Sequence, residues 1–99
     1  MGDTPERVEK VMALTLADFH RSLMALAPTL QLHDGQTGVE IDSGGARVSI
    51  TFEEQPGATL GGLLALPRAR VTLALEALDN EARMAFLARF DRAFQRGGG

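Results

Sequence analysis

Cysteine, tryptophan and tyrosine are absent from this chain, and Lys10 is its only lysine. Without cysteine there is no disulfide, no thiolate nucleophile and no cysteine zinc site. His20 and His33 are the only imidazoles, which leaves few starting points for metal or acid–base chemistry. Long apolar runs are missing too. The best candidate, 60–66, is interrupted by Gly61 and Gly62 and stopped by Pro67, far short of the roughly 20 residues a membrane helix needs. No phosphate-cradling glycine loop, nucleophile elbow, HExxH helix or calcium loop occurs. Acidic residues stand near the start, where a signal peptide would carry positive charge, so a cytoplasmic location is expected. Arginine replaces lysine almost throughout, beside much Ala, Leu and Gly, a usage expected of a GC-rich bacterial genome.

What is present is an ordinary globular composition: 99 residues, 44% apolar and 23% charged. That length supports one core, so residues 1–96 are expected to form a single α+β domain, followed by a flexible glycine tail at 97–99. The net charge of −3 is uneven. Acids prevail up to Leu66. From Pro67 onward Arg68, Arg70, Arg83, Arg89, Arg92 and Arg96 outnumber Glu76, Asp79, Glu81 and Asp91. Such halves attract each other, which predicts internal complementarity or self-association.

Asp3, Thr4, Pro5 and Glu6 read as a helix start, and Val8, Val11, Met12, Thr15, Phe19, Leu23 and Leu26 continue it as one apolar stripe ending before Pro28. Thr15 followed by Asp18 is a second capping pair, so the alternative is a helix that starts there with 8–14 extended. Residues 30–38, with Asp34-Gly35, read as a connection. Alternation follows. Val39 and Ile41 oppose Glu40 and Asp42 in direction, and Val48, Ile50 and Phe52 alternate with Arg47, Ser49, Thr51 and Glu53. A two-residue Gly44-Gly45 turn would set Asp42 opposite Arg47 and put every apolar residue on one face, predicting a β-hairpin.

Pro56-Gly57 reads as the next turn, Gly61-Gly62 as a bulge or tight turn, and 68–77 as a further strand that Pro67 begins or marks as an edge. Asp79 is placed to cap a last helix with Phe86, Leu87, Phe90, Ala93 and Phe94 on its apolar side, Arg89, Arg92 and Arg96 on the other, and Gly97 at its end. The expected architecture is a two-layer sandwich: N-terminal helix, three- to four-stranded antiparallel sheet, C-terminal helix, both helices on one sheet face.

Glu40 and Asp42 share an outward strand face with Glu53 nearby, the pairing that general acid–base work uses, yet an ion pair to Arg47 accounts for the same residues. The order helix, three strands, helix is similar to a double-stranded-RNA-binding domain in topology alone. The chain is acidic, lacks a lysine-rich helix start, and turns Phe19, Phe52, Phe86, Phe90 and Phe94 inward, so nucleic acid is not the expected partner. The glycine end resembles that of ubiquitin-like and sulfur-carrier proteins, but theirs follows a strand and this one a helix.

The function expected is therefore that of a non-enzymatic protein-binding or accessory domain, self-associating through its sheet face or edge and requiring no cofactor, metal or membrane. Its binding residues are expected on the open face, at Glu40, Asp42, Arg47, Thr51, Arg70 and Thr72 with Ser49 and Glu76 beside them, and on the basic helix side at Arg89, Arg92 and Arg96. The alternative is a small-molecule, metal-binding or enzymatic domain in which His20 and His33 meet the carboxylates of Asp42 or Glu53.

Overall fold

The computed structural model describes residues 6–43, 46–60, 64–76 and 78–98. Six elements follow in the order β1 (Glu6–Met12), α1 (Leu16–Leu26), β2 (Gly38–Ser43), β3 (Ala46–Leu60), β4 (Leu64–Glu76) and α2 (Asn80–Gly98). The strands form one antiparallel sheet in the order β1-β4-β3-β2. This is the α+β sandwich that the alternation and the two helical stripes imply.

The N-terminal stretch corrects the longer helix. Residues 6–12 are a strand, and α1 begins only after Thr15. The Thr15 hydroxyl accepts from the Asp18 N–H at 3.1 Å, and the Asp18 carboxylate accepts from the Thr15 N–H at 3.3 Å. This reciprocal box satisfies donors that a helix continuing through Thr15 would not leave open. The segment before it serves β4 instead. Glu6, Val8, Lys10 and Met12 fall opposite Leu75, Leu73, Val71 and Ala69, completing the pairing of an otherwise half-paired strand. Val11, which a helical stripe would bury, faces outward and is 54% exposed. Asp3, Thr4 and Pro5 lie outside the described residues.

The β2–β3 hairpin has the expected register, with Asp42 opposite Arg47 and Val39 and Ile41 opposite Ile50 and Val48; its Gly44-Gly45 turn lies outside the described residues. Pro56-Gly57 is not a chain reversal. β3 runs on to Leu60, and the register shifts between Gln55 and Ala58 so that Pro56 and Gly57 stand against Pro67 alone. Two residues against one is a β-bulge, and prolines, lacking an N–H, fit where the ladder is interrupted. Gly57 is required there, since a Cβ would meet the Leu66 carbonyl oxygen at 2.7 Å. Pro67 accordingly sits inside β4 rather than at its start. Gly61-Gly62 lies outside the described residues.

β2 pairs with β3 only as far as Thr51, and β1 with β4 only as far as Ala69. Beyond them, apart from the Phe52 N–H that donates to the Thr37 carbonyl, β3 and β4 pair only with each other among the described residues, forming a two-stranded arm.

The core lies between the inner sheet face and both helices. Val48, Ile50, Val71 and Leu73 are fully buried against Phe19 and Leu23 of α1 and Phe86, Phe90 and Phe94 of α2. The rings interlock, Phe90 on Phe94 at 4.1 Å and Phe19 between Phe52 and Phe94 at 5.2 and 6.0 Å. Asp79 caps α2, accepting from the Ala82 N–H at 2.8 Å, and the helix continues to Gly98, past the stop expected at Gly97.

Candidate protein-binding surface

Antiparallel register fixes which side chains share a face, and the outer face divides into rows across the strands. Asp42, Arg47 and Glu76 form the first row; Glu40, Ser49, Ala74 and Arg7 the second; Gly38, Thr51, Thr72 and Glu9 the third; Glu53, Arg70 and Val11 the fourth. The structure thus brings Glu40, Asp42, Arg47, Thr51, Arg70 and Thr72 together on one face. Both helices pack on the other side, so Glu40, Asp42, Arg47, Thr51 and Glu76 are exposed, and Ser49, Arg70 and Thr72 are half-buried only by their neighbours.

Charges on this face alternate in sign between neighbouring strands. Arg70 donates to the Glu53 carboxylate at 3.5 Å. Arg47 stands between Asp42 and Glu76 in register, but the ion pair expected with Asp42 is not among those formed by the described residues. An exposed pair of this kind gains little over water, so its side chains follow solvent instead. β1 adds Arg7, Glu9 and Val11, which the sequence reading assigned to a helix. Their signal was the period of two running from Glu6 to Met12, masked by the coincidence of Val8, Val11 and Met12 with helical spacing.

On the basic helix side Arg89 and Arg92 are exposed; the Arg89 Nη2 donates to the Leu26 carbonyl at 3.3 Å and its guanidinium lies 5.8 Å from the centre of the Phe86 ring. α1 has no basic residue in its own last turn, and Arg89 supplies a cation to its negative end. Arg89 and Arg92 line a shallow cleft with Ala25, Leu26 and Ala93. The side chain of Arg96 lies outside the described residues.

His20 lies in α1, on the helix side of the sheet, and His33 is exposed in the 30–38 connection. His20 Nε2 is 2.7 Å from the Gln36 carbonyl oxygen, and the Gln36 side chain accepts from the His33 N–H at 2.9 Å while donating to the Gly38 carbonyl at 2.8 Å. Gln36, which the sequence reading passed over, ties α1, the 30–38 connection and β2 together. Asp42 and Glu53 are on the outer face, so the sheet separates them from His20. Among the described residues no group of three or more His, Asp and Glu side chains is arranged to hold a metal ion. None of their helices is long and apolar enough to cross a membrane. The Thr15 backbone N–H, aided by the Thr15 hydroxyl and Arg21, holds the Asp18 carboxyl below its ordinary value.

No protein-family model, curated protein or solved structure matches this chain.

Proposed function

We propose that this chain is a protein-binding module that associates with a second copy of itself, outer face to outer face. The observation that supports the reading is the self-complementarity of that face. Take a two-fold axis along the hydrogen-bonding direction, between the row of Ser49 and Ala74 and the row of Thr51 and Thr72. It sets each strand against its own copy in the opposite direction. Glu76 then meets Arg70 of the second copy, Arg47 meets Glu53 and Arg7 meets Glu9, while Ser49, Thr51, Thr72 and Ala74 form a centre of small side chains. Opposite signs meet at all three positions. A face without aromatic anchors relies on this complementarity for specificity, so a modest affinity with strong salt dependence is expected.

Sedimentation velocity over a wide concentration range tests the reading. A reversible dimer weakened by salt is expected. Arg7→Glu alone, or Glu9→Arg alone, sets like charges in opposition twice per dimer and weakens it by about tenfold or more. The double exchange Arg7→Glu with Glu9→Arg restores the dimer, because neither residue has a charged neighbour opposite it within its own chain. A protein monomeric at every concentration, or a dimer indifferent to both single changes, overturns the reading.

A further inference from the structure

In its four-stranded part the sheet has two edges, β1 and β2, and they are built differently. β1 turns Glu6 and Lys10 inward, toward the helices, where Arg83 and Asp91 of α2 hold them at 3.1 Å each. An inward-pointing charge is a recognised block to strand addition, since a strand added there would have to cover it. β2 carries no such block. Its inward residues are Val39, which is buried, and Ile41, which is half-buried.

The free backbone groups of β2 can be placed. The Phe52 N–H donates to the Thr37 carbonyl at 2.7 Å, one step before the Gly38–Thr51 pair. Because antiparallel ladders alternate, Val39 and Ile41 turn their backbone groups toward β3, and Gly38, Glu40 and Asp42 turn theirs to the open side. The Gly38 carbonyl accordingly accepts from the Gln36 side chain. Among the described residues nothing pairs with the N–H and C=O of Glu40 and Asp42, and their carboxylates stand on the outer face above this edge.

We infer that the β2 edge, and not the β1 edge, accepts a short extended segment of a partner protein in which basic residues alternate with small apolar ones. The apolar side chains extend the layer of Val39 and Ile41, and the basic ones stand beside Glu40 and Asp42. A second copy of β2 is a poor occupant. Pairing with Ile41 opposite Ile41, or Glu40 opposite Glu40, sets carboxylate beside carboxylate, and a slip of one residue exchanges the two faces. Strand addition lies in the plane of the sheet and so leaves the outer face free. The inference goes beyond self-association and does not depend on it.

The test uses the whole chain and two blocked peptides, Ac-Lys-Val-Lys-Val-Lys-NH2 and Ac-Glu-Val-Glu-Val-Glu-NH2, with backbone amide shifts and hydrogen exchange as the readout. The basic peptide is expected to shift and protect the Glu40 and Asp42 amides, with the acidic one weaker by about tenfold or more. Replacing Glu40→Lys and Asp42→Lys together, both at exposed positions, inverts the preference. Absence of protection at Glu40 and Asp42, protection instead along β1, or equal binding of both peptides overturns the inference. Changes confined to Thr51, Thr72 and their row neighbours also overturn it, while leaving the outer face standing as a binding surface.

Discussion

Lys10, on an edge strand, points into the layer between sheet and helices, and its ammonium meets the Asp91 carboxylate of α2 at 3.1 Å. Neither side chain is deeply buried, so the pair itself contributes on the order of 0 to 1 kcal/mol. Its greater consequence concerns what the edge refuses. With Lys10→Val, β1 presents Val8, a new Val and Met12 in one inward row, an apolar edge with unpaired backbone groups. The variant is expected to melt close to the parent but to scatter light increasingly with concentration and time. Scattering that stays at the parent level would show that Lys10 does not guard this edge.

The Thr15–Asp18 box decides where α1 begins, so Thr15→Ala should cost about 1 kcal/mol, read from urea denaturation. Asp18 adds a pH signature. Its folded-state affinity for protons is held below the ordinary value of 3.8, chiefly by the Thr15 N–H. A carboxyl depressed in this way contributes stability that is fully present above 3.8 and is lost as the pH falls through the lower folded value. Asp18→Asn should therefore be less stable than the parent at neutral pH and converge on it below that range. A constant difference at all pH values would assign the loss to packing instead.

These two residues also show what was legible in the sequence. The box at Thr15 was visible as one of two helix starts, and nothing local chose between them, because Val8, Val11 and Met12 satisfy a helical spacing while the alternation of Glu6, Val8, Lys10 and Met12 satisfies a strand. The choice is made far along the chain: β4, central in the sheet, needs a partner for its second side. The hairpin was legible because turn residues and alternation agreed on one register. Pro56-Gly57 misled, since the same two residues suit a turn and a bulge, and only the approach of the Leu66 carbonyl distinguishes them. The open face followed from alternation alone, but its rows, and hence its pattern of charge, required the order of strands.

Gly57 offers a direct check on the bulge. A methyl group there would stand 2.7 Å from the Leu66 oxygen, and the obstacle is backbone, which has no rotamer in which to withdraw. Gly57→Ala is expected to open the arm locally. Amide exchange should accelerate at the bulge and outward along the arm, while Val48, Ile50, Val71 and Leu73 keep their protection. If Pro56-Gly57 were instead a simple reversal, this pattern would be absent.

Ser22 presents the opposite case, a position where the natural residue costs stability. It lies on the buried side of α1 with Phe19, Leu23 and Leu26, is 1% exposed, and its hydroxyl has no hydrogen-bond partner among the described residues. A buried, unsatisfied hydroxyl costs on the order of 1 to 3 kcal/mol relative to its solvated state, and serine is a poorer helix former than alanine. Ser22→Ala removes the oxygen, keeps the Cβ and leaves only a void smaller than a methyl group, so packing loses little. The variant is therefore expected to gain about 0.5 to 1.5 kcal/mol and to melt several degrees higher. Ser22→Val should not share the gain, because the added branch presses on a core already closed around Phe19 and Leu23. A lower melting temperature for Ser22→Ala would mean that the hydroxyl has a partner in solution, either a water or the Asp18 carbonyl one turn earlier in α1.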